Sequence, residues 1–394
     1  MNPTQSVSWL KRTLQEKLFP QLQACCDDPI TEKQKQLVAI LEVIEIERYV
    51  QGSEFQWMGR KIKDRKAIAR AFVAKAVFGY PTTRALIEAL ASTRNLRDIC
   101  GFPCANVTVV KEGTTSGGKV LMLKRRVGSF PSEATFSRAF ATFAAGDLGE
   151  SVHKALVKEH VGEELLGHVS HDSTAILGHE KPARTHKDPV QNQEKPKPKK
   201  RGRPKKGEIR TKELTRLEKQ KSQTAEEGLR DIPTQCNVGS KRDSKGYKVT
   251  WNGFKLHGST CDTGLPISAI VTSASVHDSQ VAIPMVKRCS ERTTYLYDLM
   301  DAAYDAASIR EVSREMNHVP LIDRNARGGV AMPFSPAEKV RYNERTGVER
   351  FNSRMKEEFG ADHVMVRGYR KVKLHLMFGV VALFADQLLK LCRT

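Results

Sequence analysis

Residues 341–360 read RYNERTGVERFNSRMKEEFG, a charged stretch in which four polar residues are spaced to share one side of a helix. The four are Tyr342, Arg345, Glu349 and Lys356. Their offsets of 0, 3, 7 and 14 place them within roughly 60° of one another around a helix. Core packing does not explain this stripe, because a core takes apolar residues. On spacing alone, a solvent-facing helix with i, i+4 ion pairs explains it equally well.

The sequence upstream of this stretch consists of short apolar runs and helical patterns. The runs predict five strands, at 168–176, 248–258, 265–274, 294–301 and 318–323. Helical periodicity follows the last three of them, at 277–287, 306–314 and 338–358. Three successive strands followed by alternating strand and helix predict an α/β fold with a mixed sheet flanked by helices. The apolar run at 376–385 predicts a buried final helix.

Two acidic residues on predicted strands are candidates for chemistry. Asp301 ends the fourth strand on the same face as Leu299, whereas Asp298 points to the opposite face. Asp301 is therefore the better candidate for a site at the edge of the sheet. Asp172 lies in the first strand, and by itself it is equally consistent with an acid that faces water. Asp278 precedes the helix after the third strand and is expected to cap it.

Several motifs resemble DDE transposases of bacterial insertion sequences. The pattern Y-x2-R-x3-E-x6-K at 342–356 resembles the signature around the last catalytic acid of that family. GFKLHGSTCDTGLPISAIVTSASVHDSQ (253–280) resembles its second and third strands, and LYDLMDAAYDAASIRE (296–311) resembles the strand that ends in the second catalytic aspartate. SHDST (170–174) resembles the strand of the first. The resemblance covers residues 165–392, and a looser one includes FGYPTTRALIEAL and PSEATFSRAF nearer the N-terminus.

This resemblance implies an RNase H-like fold with Asp172, Asp301 and Glu349 as the catalytic, metal-binding triad. The expected cofactor is Mg²⁺, with Mn²⁺ as a substitute and two ions per active site. Mg²⁺ takes oxygen ligands and keeps several waters, so carboxylates can hold a metal pair and leave positions for phosphate oxygens. No protein nucleophile is required for such chemistry.

The cationic residues of the signature stretch are candidates for DNA binding. Arg345 and Lys356 can hold nonbridging phosphate oxygens, the first bidentately and the second as a point charge. The resemblance implies a hydrogen bond from Tyr342 to a phosphate. Asn352 and Arg354 are further candidates for contact with the DNA backbone.

A basic insertion is expected between the first two strands, over residues 180–245. Its segment KPKPKKRGRPKK (195–206) has eight basic residues and no acidic one. Prolines and glycine there disfavour helix and sheet, so we expect a disordered segment. RGRP (201–204) resembles the core of an AT-hook, which predicts minor-groove contacts by the basic residues Arg201, Arg203, Lys205 and Lys206. A solvated linker or an import-like basic run remains the alternative.

Charge and composition point to a polyanionic partner. Lys and Arg total 65 against 45 for Asp and Glu, a net charge of +20. The longest apolar run, 376–385, is about half of a membrane span, and the N-terminus lacks an apolar run of signal-peptide length. The eight cysteines lack C-x2-C spacing. We therefore expect a cytoplasmic, nucleoid-associated bacterial protein with no membrane partner.

The expected organisation has two domains. Residues 1–150 should form a mainly helical domain with a β-hairpin around 106–123, a guess for recognition of transposon ends, and 151–394 the catalytic domain. The helix at 132–144 fits core packing better than groove reading.

The leading interpretation is a DNA transposase. It would bind inverted repeats at element ends as a homodimer, cleave there and transfer the 3′-OH ends into target DNA. The alternatives are an inactive transposase-derived DNA-binding protein and an RNase H-like nuclease without strand transfer.

Overall fold

A computed structural model describes residues 29–50, 64–102, 130–183, 214–242, 246–325, 333–362 and 364–393. The N-terminal part of the described chain is helical, as its periodicity predicts. Its six α-helices are α1 (Glu32–Ile44), α2 (Arg65–Val77), α3 (Thr83–Ser92), α4 (Arg94–Cys100), α5 (Glu133–Ala145) and α6 (Leu148–His160). The predicted hairpin around 106–123 lies outside the described residues.

A six-stranded mixed sheet forms the centre of the remaining chain. Its strands are β1 (Leu165–Leu177), β2 (Asn237–Arg242), β3 (Lys248–Cys261), β4 (Pro266–Ser273), β5 (Thr294–Met300) and β6 (Val319–Ile322). The order is β2-β3-β1-β5-β6, and β4 also pairs with β3. β1 pairs antiparallel with β3 and parallel with β5, which pairs parallel with β6. The predicted RNase H-like mixed sheet flanked by helices is therefore confirmed.

Seven further helices accompany the sheet in the described part of the chain. They are α7 (Arg216–Ser222), α8 (Ala225–Arg230), α9 (Ser279–Ser290), α10 (Ala307–Glu315), α11 (Pro336–Asn343), α12 (Thr346–Glu357) and α13 (Tyr369–Leu391). α12 packs on β1 and β3, while α9 packs on β3, β4 and β5. A 3-10 turn, Ala302–Tyr304, follows β5 directly.

The last helix, α13, is the centre of a large hydrophobic core. Phe378 stacks on Phe72 of α2 at 5.8 Å between ring centroids, and Phe72 also contacts Phe140 of α5. By length and composition α13 could cross a membrane, but 83% of its most apolar window is buried inside the protein. The expectation of a buried final helix is correct.

Part of the expected basic insertion is folded. Residues 214–242, inside the expected insertion, contain α7, α8 and the edge strand β2. The segment 195–206, for which disorder is predicted, lies outside the described residues. Thr215 with Glu218 and Thr224 with Glu227 form capping boxes that start the two short helices. Arg201, Arg203, Lys205 and Lys206 lie outside the described residues.

Candidate catalytic site

Asp172 and Asp301 lie side by side because of the register of two parallel strands. Ser170 on β1 pairs with Leu299 on β5. Each aspartate follows its paired residue by two positions, so both belong on the same face of the sheet. Asp301 comes directly after β5, where its Oδ1 accepts a hydrogen bond of 2.9 Å from the backbone N–H of Ala303.

Burial and nearby negative charges make both carboxylates reluctant to ionise. Burial raises the pKa of Asp172 to about 6, and the negative charge of Asp301 adds to the rise. Burial likewise raises the pKa of Asp301. The Arg345 guanidinium opposes both shifts. Two neighbouring acids with raised pKa values are a typical arrangement of a cation or catalytic site.

Helix α12 reaches Asp172 through a close approach to the sheet. Gly258 lies opposite Asp172 on β3, and a Cβ atom at that position would lie 2.4 Å from the ring of Phe351. Only glycine leaves room for this ring. The contact brings Asn352 to the site, where its Nδ2 donates a hydrogen bond of 2.9 Å to Asp172 Oδ2.

The signature stretch is not one continuous helix. α11 ends at Asn343 and α12 begins at Thr346, so the prediction of a single helix over 338–358 is wrong. Between the two helices the backbone makes i to i−3 bonds, from Arg345 N to Tyr342 O and from Gly347 N to Glu344 O. Tyr342 therefore lies on a separate helix from Glu349.

Arg345 connects the third predicted acid to the first two. Its guanidinium forms an ion pair with Glu349, whose side chain is 51% exposed. It also interacts electrostatically with Asp172 and Asp301 and lies 5.9 Å from the ring centroid of Tyr342. The Arg345 guanidinium thus links Glu349 to the two aspartates.

The aspartate pair fits a divalent ion better than the full triad does. No group of three or more Asp, Glu, His or Cys side chains in the described ranges is close enough to hold a metal. Mg²⁺ is commonly bound by one or two carboxylates with waters and substrate phosphates. Asp172 and Asp301 match that donor set, whereas Glu349 would first have to leave Arg345.

The other predicted DNA-binding residues have different surroundings. Arg354 hydrogen-bonds Glu358 bidentately and pairs with Asp386 on α13, so it joins two helices. Lys356 is partly buried near Lys241 of β2, and burial lowers its pKa. Of the signature cations, Arg345 alone interacts with the aspartate pair among the described residues.

Asp278 also belongs to this site, a role that the sequence analysis did not predict. Its side chain does not cap α9 as expected; it pairs with Lys255 Nζ at 2.8 Å and acts electrostatically on Asp172. Burial opposes ionisation of Asp278, but His257 and Lys255 outweigh it and lower its pKa. An acid before a helix resembles any N-cap, so the sequence contains no signal for this role.

A buried polar network ties β1 to β5 beside the site. Asp298 is fully buried and accepts hydrogen bonds from Tyr295 Oη at 2.9 Å and from Ser313 Oγ. Its carboxylate also contacts His171 Nε2 at 3.0 Å and His318 Nδ1 at 3.2 Å. The side chain of Asp298 is thus occupied inside the protein, which supports Asp301 as the acid of the site.

Comparison with known families identifies one match. The model described as "Transposase DDE domain" matches residues 166–385, a range that contains β1, β5 and the signature stretch. Neither the comparison with curated proteins nor the comparison with solved structures finds a match.

Proposed function

The chain belongs to the transposase DDE domain family, and from this premise we propose that it is a DNA transposase. It cleaves DNA at transposon ends and transfers the 3′-OH ends into target DNA. The observation that carries the proposal is the strand register that sets Asp172 beside Asp301, with the signature residue Arg345 interacting with both.

The proposed ligands of two Mg²⁺ ions, with Mn²⁺ as a substitute, are Asp172 and Asp301. Glu349 is proposed to become a further ligand once its ion pair with Arg345 has opened. Bound divalent ions lower the pKa of an attacking water or 3′-hydroxyl and stabilise the departing 3′-oxygen. The raised pKa values of the two aspartates support this assignment, because a pair of repelling carboxylates gains most from a cation between them.

The protein's own side chains orient these groups. Asn352 holds one oxygen of Asp172 by its hydrogen bond. Arg345 is proposed to exchange its carboxylate partners for a phosphate of the bound DNA, since a guanidinium binds phosphate bidentately. That exchange frees Glu349. The ring of Tyr342 lies under Arg345. Tyr342 and Lys356 are proposed to contact neighbouring phosphates of the DNA backbone.

Other parts of the chain are also proposed to bind DNA. Residues 1–150 are proposed to recognise the inverted repeats, and the basic stretch 195–206 to contact DNA nonspecifically through Arg201, Arg203, Lys205 and Lys206. The net charge of +20 supports a DNA partner in both roles. A homodimer on DNA in the bacterial cytoplasm is part of the same proposal.

One observation favours a second candidate, a DNA-binding protein without activity. Glu349 is paired with Arg345, and no three of the described Asp, Glu, His or Cys side chains form a group that could hold a metal ion. A protein in which this pair never opened would bind DNA without cutting it.

The deciding experiment incubates the purified chain with DNA from either side of its coding sequence and a target plasmid, in Mg²⁺, Mn²⁺ or EDTA. A transposase yields cut ends and joined products that require the metal and disappear in Asp301→Asn and Glu349→Gln. Cut ends without joined products indicate a nuclease. Metal-independent binding without cutting indicates the inactive candidate.

A further inference from the structure

Tyr304 brings a hydroxyl without a described hydrogen-bond partner into the acidic site. The side chain is 1% exposed, and its Oη has no partner in the described structure. Tyr304 belongs to a small buried hydrophobic cluster that includes Ile283 of α9 and Met300 of β5. Burying a hydroxyl without a hydrogen-bond partner is unfavourable. An unpaired buried hydroxyl next to a site therefore indicates that a bound water, ion or ligand supplies the partner.

Three carboxylates interact electrostatically with this hydroxyl. Burial and the charges of Asp278, Asp172 and Asp301 raise the pKa of Tyr304 well above its usual value. The phenol therefore stays protonated at neutral pH and keeps both a donor and an acceptor.

Asp278 is held in place on the same side. Lys255 Nζ bonds its Oδ1 at 2.8 Å and also donates to the backbone carbonyl of Val276 at 2.9 Å. His257 Nδ1 lies 3.9 Å from the same oxygen and has no hydrogen-bond partner in the described structure. A second unpartnered buried atom beside the acids supports a bound, hydrogen-bonding group.

We infer that Tyr304 and Asp278 are positioning residues that hold water molecules of a divalent cation bound by Asp172 and Asp301. The inference rests on the proposed function. Mg²⁺ and Mn²⁺ keep several waters, and such waters donate hydrogen bonds to nearby oxygens. Asp278 accepts from one water, and the Tyr304 hydroxyl accepts from one and donates to another. Loss of a group that hydrogen-bonds the ligands of a metal commonly changes its affinity by about 10–100-fold.

The test measures Mn²⁺ binding to the full chain by electron paramagnetic resonance. Tyr304→Phe and Asp278→Asn are each expected to weaken binding by about tenfold. Tyr369→Phe, which removes a phenolic hydroxyl at the start of α13, is the matched control and should bind as the wild type does. Each residue is judged by its own variant, and a dissociation constant within twofold of the wild type overturns its role.

Thermal unfolding supplies a second readout that does not depend on activity. Without metal, Tyr304→Phe should melt at or above the wild-type temperature, because it removes an unpartnered polar atom. Its Mn²⁺-induced rise in melting temperature should be smaller than that of the wild type; an equal rise overturns the inference. If Asp172→Asn binds Mn²⁺ normally, the proposed function fails; if Asp172→Asn loses binding while Tyr304→Phe keeps it, only this inference fails.

Discussion

The side-chain amide of Asn352 donates a hydrogen bond of 2.9 Å to Oδ2 of Asp172. Asn352 is buried on α12, three residues after the exposed Glu349. The helix that carries the third acid therefore contacts the first acid through an amide. This contact defines the orientation of Asp172 before any DNA or metal binds.

Replacing Asn352 tests that orientation. Asn352→Ala should lower the DNA cleavage rate at least tenfold, because Asp172 loses the group that fixes its rotamer. The free energy of unfolding should fall by about 1 kcal/mol for the lost buried hydrogen bond. Cleavage assays and urea titration measure the two effects. Ser353→Ala, which alters the neighbouring exposed position, should change neither, and wild-type cleavage by Asn352→Ala would contradict the assignment.

Arg345 should act as an internal counter-ion of the acids. In Arg345→Gln, the carboxylates lose the cation that they share, so Mn²⁺ should bind the DNA-free protein several-fold more tightly. Cleavage should nevertheless fall, because the phosphate contact is lost. Calorimetry and cleavage assays measure these opposite effects. Arg350→Gln, on the adjoining helix α12, is the control. Weaker Mn²⁺ binding by Arg345→Gln would show that the guanidinium does not compete with the metal.

The stability of the metal-free protein should depend on pH through Asp172. Its folded pKa, about 6, lies above its ordinary value of 3.8, so ionisation disfavours the folded state. This group therefore costs stability as pH rises from about 4 to above 6, by at most about 3 kcal/mol. Asp172→Asn should remove that loss and unfold at higher urea concentration than the wild type at pH 7.5, but not at pH 4. A constant difference across this range would contradict the shift.

Gly258 should be intolerant of a side chain. A Cβ there would lie 2.4 Å from the ring of Phe351, so Gly258→Ala should push α12 away from β3 and destabilise the protein by about 1–3 kcal/mol. Cleavage should fall with it, since Asn352 moves on the same helix. Phe351→Leu provides room, so the double variant should be more stable than the sum of the single effects predicts. Strict additivity in denaturant titrations would rule out this contact.

Replacing Asp298 should reduce stability, whereas replacing Asp301 should reduce cleavage. Asp298 makes four buried contacts, and Asp298→Ala should destabilise the protein by about 3–5 kcal/mol, as for a broken buried pair. Despite burial, His171 and His318 lower the pKa of Asp298, so its stabilisation is present above its unfolded pKa and is lost as pH falls below it. Asp301→Asn should remain folded and lose cleavage. Calorimetric melting of both variants at pH 7 and pH 4 distinguishes the roles.

The strands and the candidate acids could be predicted from the sequence because their signals are local. Alternating apolar residues indicate a strand whatever it pairs with. The face of the sheet on which Asp301 lies followed from its spacing of two residues from Leu299. Asp172 carried no local signal beyond its strand, and its assignment depended on the family resemblance.

The interruption of the signature helix was only partly foreseeable. Gly347 weakens a helix by roughly 1 kcal/mol relative to Ala, but the break falls earlier, at Glu344 and Arg345. Helical spacing assumes an unbroken helix, and that assumption failed where the backbone changed to i to i−3 bonds. Arg345 nevertheless contacts both Tyr342 and Glu349.

The sequence by itself determined which residues can ionise, bind phosphate or form a strand, because these properties belong to single side chains and to their immediate neighbours. Only the tertiary structure decided that Asp172 lies beside Asp301 and that Asp278 and Tyr304 come close enough to Asp172 to interact with it electrostatically. Those relationships depend on strand register and helix packing between segments more than a hundred residues apart, and no local pattern encodes them.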